Sequence, residues 1–188
     1  MFRIIINDIL RALIQYAPNA IFAGLFTTFF IVWVKSWLLG QSVGKTICED
    51  RKKYLRFLIL FSYCIFVVYI TYFSREPGSR DGIDLIPLST ISCETQNNVY
   101  PVENILLFLP FGYLLAKRKK GNTSLKYCLA VGLLFSLAIE VLQLITKRGY
   151  FQTDDLITNV LGTLIGYGIF KTERKVRKGI GLTEYFFM

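Results

Sequence analysis

The sequence predicts an all-α integral membrane bundle of about five transmembrane helices, preceded by a short amino-terminal interfacial helix. Three observations carry that prediction. The 188 residues are 53% hydrophobic and 15% aromatic and include no His, which is the composition of a membrane protein. The apolar residues gather in five runs, and the basic residues gather in alternate gaps between those runs.

The runs are Ala20 to Leu39, Leu55 to Phe73, Val102 to Ala116, Leu125 to Ile145 and Leu156 to Phe170. A helix needs about 20 residues to cross a hydrocarbon core of about 30 Å. The third and fifth runs have about 15, or roughly 22 Å of helix, so they are expected to tilt in a thinned region or to begin below the membrane surface. Ahead of the first run, Arg3, Asn7, Asp8 and Arg11 interrupt the apolar character. No small-residue cleavage site follows, so this segment reads as an interfacial helix and not as a signal peptide. The organisation expected is 1–50 for the interfacial helix and first span, then 51–188 for the main membrane domain with a basic cytoplasmic tail.

Charge sets the expected orientation. Lys45, Arg51, Lys52, Lys53 and Arg56 fall in the first gap, Lys117 to Lys120 and Lys126 in the third, and Lys171, Arg174, Lys175, Arg177 and Lys178 in the tail. These are 15 of the 22 basic residues, and Lys35 joins their side. The positive-inside rule then puts the amino terminus outside and the carboxyl terminus in the cytoplasm. The net charge of +9 is accounted for by those loops and their attraction to anionic headgroups, so nucleic acid is not an expected partner and membrane lipids are. Cys64 and Cys128 lie within spans, Cys48 inside and Cys93 outside, so no bridge is expected. With no His and no clustered Cys, neither a zinc site nor a cofactor is expected, and a hard cation held by carboxylates stays open.

The chemistry concentrates at the external ends of the spans. Glu140 lies inside the fourth run, seven residues before Lys147 and so about 10 Å below its outer end. An ionisable side chain there costs roughly 3 kcal/mol or more unless something compensates it. Gln143 is one turn above on the same face, Asn104 opens the third helix, and Asn159 lies one turn into the fifth after Asp154 and Asp155. This convergence predicts an outward-facing polar pocket of Arg75, Asn104, Glu140, Gln143, Arg148, Asp155 and Asn159, with Arg75 and Arg148 as counter-charges for Glu140. A plainer reading gives the same residues a structural role, as interhelical hydrogen bonds that hold the bundle together. Thr153 or Asp154 suits a helix N-cap, and Asp155 suits the positive end of the helix dipole. Gly162 and Gly166 form a GxxxG, expected to serve close helix packing, and Pro110 should kink the third helix. "NILLFLPFGY" and "NVLGTLIGY" align loosely, which suggests a parallel repeat of two-helix units.

The segments "DLIPLSTI", "ENILLFLPFGYLLA", "SLAIEVLQL" and "RGYFQTDDLITNVLGTLIGY" also resemble the VanZ-like family of small bacterial membrane proteins, over about residues 73 to 170. The motif positions fall on Arg75, Pro87, Asn104, Pro110, Gly112, Glu140, Gln143, Arg148, Asp155, Asn159 and Gly162. Leu88 stands where the family commonly has an aromatic residue. The resemblance implies a protein of the bacterial cytoplasmic membrane that acts at the outer surface and lowers susceptibility to teicoplanin-type glycopeptides.

Three classes of function fit. One is a non-enzymatic surface factor whose pocket binds a lipid, a lipid-linked cell-wall precursor or a lipoglycopeptide, with Arg75 and Arg148 meeting a phosphate or carboxylate. A second is a membrane enzyme acting on a lipid-linked cell-envelope substrate, with Glu140 and Asp155 as the candidate catalytic carboxylates or, in a variant of it, a metal held by Glu140, Asp154 and Asp155. The third is a small transporter or flippase, disfavoured because the polar residues occupy only the outer half.

Overall fold

The computed structural model describes residues 2–78, 82–89, 99–118 and 123–179. Arg80, Cys93, Lys119 and Lys120 lie outside the described residues. Within them the chain forms α1 (Phe2–Leu39), α2 (Val43–Val68), α3 (Val99–Lys117), α4 (Leu125–Ile145) and α5 (Thr153–Gly179). A π-helical turn, Tyr69–Phe73, continues α2, and two short strands, β1 (Ile83–Asp84) and β2 (Phe151–Gln152), pair in parallel.

The protein is an all-α membrane bundle. α1, α2 with its π-helical turn, α3 and α4 are each long and apolar enough to cross a membrane. Their outward faces carry the apolar surface, as at Phe22, Phe26, Phe29, Trp33 and Trp37 of α1, all half or more exposed. A soluble protein would bury such a face; here lipid covers it. The amino-terminal segment expected as a separate interfacial helix is continuous with the first span. α1 runs for 38 residues with Pro18 inside, about 57 Å. The helix continues through Pro18 and Asn19, since an apolar helix of this kind absorbs one missing N–H.

α5 has 27 residues, yet the polar residues of its first turns, Asp154, Asp155 and Asn159, and the charged turns from Lys171 onward leave it less apolar than the other four. It runs parallel to α3 along that helix's length. At one end the Asn104 amide donates to Asp155 Oδ1 at 2.8 Å, and at the other the Tyr113 hydroxyl donates to Glu173 Oε2 at 2.6 Å. A helix that accompanies a spanning helix from end to end occupies the same depth. The close approach uses the glycines: Gly162 lies against the Ile105 carbonyl, Gly166 against the Leu109 carbonyl, and Gly112 against the Thr163 carbonyl. Neither helix can move away without opening the core around Phe108, Phe111 and Phe170.

Pro110 removes one helical hydrogen bond from α3, and the Tyr63 hydroxyl of α2 donates to the Leu107 carbonyl in that loosened turn at 2.8 Å. Phe108, Phe111 and Phe135 pack at the same level, with ring centroids 5.2 to 5.9 Å apart and Phe111 stacked on Phe135. Cys48, Cys64 and Cys128 are free thiols.

A Cβ at Gly166 would strike backbone of α3, whereas one at Gly168 would meet nothing within 4 Å. Gly166→Ala is therefore expected to destabilise the purified protein by about 1–3 kcal/mol, read as a lower thermal midpoint in detergent, and Gly168→Ala, which gains up to about 1 kcal/mol of helix propensity, to hold or raise the midpoint.

Candidate functional site

The polar end of the bundle is built by the exit of α2, the turn after α4 and the start of α5. α2 ends in its π-helical turn, which leaves the last carbonyls pointing into the bundle. Buried helix ends need partners for those groups. Gln143, 1% exposed, donates from Nε2 to the Thr71 carbonyl at 2.7 Å. Arg148 donates to the Arg75 carbonyl at 2.9 Å and the Tyr72 carbonyl at 3.4 Å, with its guanidinium 4.8 Å from the centre of the Tyr72 ring.

Arg148 therefore takes a place different from the counter-charge expected of it. A planar guanidinium forks across two carbonyls and stacks on an aromatic face, and here those are at the exit of α2. Arg75 is the cation that acts electrostatically on both Glu140 and Asp155.

Glu140 is 2% exposed, and its Oε2 accepts the Gln152 N–H at 3.0 Å, just ahead of α5. A carboxylate there satisfies a backbone donor and lies at the positive end of the α5 dipole. Asp155 acts on Glu140 through like charge and is held by the Asn104 amide. One guanidinium and two carboxyl groups thus share surroundings that screen little. Asp154, expected with Thr153 as a candidate N-cap, accepts the Leu88 N–H from the loop after α2. Among the described residues, no group of three His, Cys, Asp or Glu is placed to hold a metal ion.

Asn159 lies deeper, 3% exposed, and donates from Nδ2 to the Ser136 hydroxyl at 2.8 Å. It joins α5 to α4 below the charged group. Arg75, Asn104, Glu140 and Asp155 come together as one cluster; Gln143 adjoins it, while Arg148 and Asn159 brace it from above and below. The Oε1 of Gln143 and the Oδ1 of Asn159 are buried acceptors with no protein partner. Such acceptors mark positions open to water or a ligand donor.

Two contributions were not visible as site residues in the sequence. The β1–β2 pair, with the Phe151 N–H on the Gly82 carbonyl at 3.0 Å, ties the loop after α2 to the start of α5. Gly149 is the other. In "TKRG" a glycine normally ends the helix in the left-handed region. Here Lys147 does so, at φ 55°, with the Arg148 N–H on the Gln143 carbonyl at 2.9 Å and the Lys147 N–H on the Leu144 carbonyl at 3.2 Å. Gly149 is free of that task; its bare Cα lets Arg75 Nη1 and Gln143 Oε1 close against the turn.

Residues 60–174 match the VanZ/LLP1 family. The chain belongs to that family. The match covers more than half of it and contains every residue of the cluster; it runs from within α2 to within α5, and all of α1 and the first part of α2 lie ahead of it. No curated protein and no solved structure matches the chain.

Gly149→Ala would drive a methyl into the Arg75 guanidinium and is expected to lower the thermal midpoint. Lys147→Gly relieves a left-handed non-glycine residue, a strain of about 1–2 kcal/mol, and is expected to raise it. A differential scan of both variants beside wild type reads the two directions.

Proposed function

We propose that Arg75, beside Glu140 and Asp155, binds the anionic part of an amphiphile at the outer face of the bacterial cytoplasmic membrane. Through that binding the protein lowers susceptibility to teicoplanin-type glycopeptides. The observation that carries this reading is the state of Arg75. Arg148, Gln143 and Asp154 are engaged with backbone groups of neighbouring segments, whereas the Arg75 guanidinium lies against the Gly149 turn beside Gln143, in reach of the fields of Glu140 and Asp155. Its planar fork suits a phosphate or carboxylate, and the apolar helices beside it suit a lipid tail. A lipid-linked cell-wall precursor and a lipoglycopeptide share that chemistry.

The proposed orientation, amino terminus outside and carboxyl terminus in the cytoplasm, rests on the positive-inside rule. Contacts between the ends of the helices support a single basic end: Arg56 of α2 donates to the Arg118 carbonyl after α3, and Tyr113 of α3 meets Glu173 in the tail of α5. The polar cluster then faces outward. A second reading, a membrane enzyme on a lipid-linked substrate, draws support from the electrostatic proximity of Glu140 and Asp155, since paired carboxylates suit general acid and base roles.

Expression in a sensitive Gram-positive host, with membrane abundance matched, tests the reading. Wild type is expected to raise resistance to teicoplanin more than to vancomycin, with Arg75→Gln and Glu140→Gln both losing the effect. Absence of protection by wild type contradicts it. Loss of protection in Glu140→Gln with teicoplanin binding retained favours the enzyme.

A further inference from the structure

The opposite, basic end of the bundle contains a cleft of ≈ 850 Å³ between α1, α2 and α3, within the range of about 300–1,000 Å³ that small-molecule sites occupy. Its chemistry changes along its length. The rim carries Lys35, Lys52, Lys53, Arg56, Lys117 and Arg118, and the interior is lined by Ile31, Leu55, Leu60, Cys64 and Leu114. From Lys53 to Cys64 the cleft follows α2 for about 16 Å, roughly half of a hydrocarbon core and so one leaflet.

Two of the rim cations share one carboxylate, and Arg118 is held by a neutral partner. α2 departs from helical geometry at Asp50, φ −124° and ψ 23°, and its carboxylate takes Lys35 at 2.9 Å and Lys53 at 3.8 Å. Arg118 donates to the neutral Tyr127 hydroxyl at 2.8 Å, and its carbonyl accepts from Arg56 at 3.3 Å. Lys52 and Arg118 are exposed, and the Lys53 side chain is 74% exposed. A soluble anion would have no use for the apolar interior, and a zwitterionic or neutral lipid would gain little from six cations. Basic rim and apolar interior together select an amphiphile with a net negative headgroup.

We propose that this cleft binds one anionic phospholipid, with its phosphate against Lys52, Lys53 and Arg118 and one acyl chain along Leu60 and Cys64. The site is separate from the Arg75 cluster and stands whether or not that cluster binds a ligand.

The full chain in detergent, titrated with dioleoyl phosphatidylglycerol or dioleoyl phosphatidylcholine, tests this by retained lipid in native mass spectrometry and by thermal midpoint. Phosphatidylglycerol is expected to bind at tenfold lower concentration or better, and excess inorganic phosphate not to displace it. Lys52→Gln with Lys53→Gln should abolish the preference, and Lys52→Arg with Lys53→Arg should keep it. Leu60→Trp, which fills the cleft and leaves the charge intact, should reduce retention of phosphatidylglycerol. Equal binding of the two lipids, a preference that survives the glutamine pair, full displacement by phosphate, or undiminished retention in Leu60→Trp would each overturn the proposal.

Discussion

Arg75 beside two carboxylates is the constraint from which the polar end of the bundle follows. Glu140 is on a membrane-spanning helix and 2% exposed, where an uncompensated charge is expensive. Asp155 adds a second carboxyl group close by. A cation must therefore be brought to both, and it comes from the first residues after α2. The π-helical turn ends α2 there, Arg148 fixes the Arg75 carbonyl, and Gly149 makes room for the guanidinium. The β1–β2 pair and the Leu88 N–H on Asp154 then hold the loop after α2 against the start of α5.

The same cluster explains why α3 and α5 pack so closely. Asn104 reaches Asp155 only if the two helix starts are level, and the glycines of α5 let the backbones approach as the helices descend. Below, Asn159 and Ser136 tie α5 to α4. A change at Gly162 or Gly166 is therefore felt at the charged end as well as in the core.

Much of this was legible in the sequence. The apolar runs, the glycine spacing of α5, and the gathering of Arg75, Asn104, Glu140 and Asp155 at one end all follow from composition and helical period. What could not be read was the division of labour among polar residues. Arg75 and Arg148 look alike in sequence; which one meets the carboxylates depends on where carbonyls emerge at the π-helical turn, a tertiary matter. Asp154 has the sequence environment of an N-cap, and nothing there tells that it also takes a backbone N–H 66 residues away. Gly149 looks like a helix stop, and only the approach of Arg75 shows its use. The length of α1 was missed for a different reason: the polar residues near its start interrupt the hydropathy, not the helix.

The central claim is that Arg75 compensates Glu140. A double-mutant cycle on Arg75→Gln and Glu140→Gln, measured as unfolding free energy in mixed micelles, tests it most directly. The account predicts a coupling of about 1–3 kcal/mol, with the double variant less destabilised than the sum of the single ones. Strict additivity of the two substitutions would contradict it.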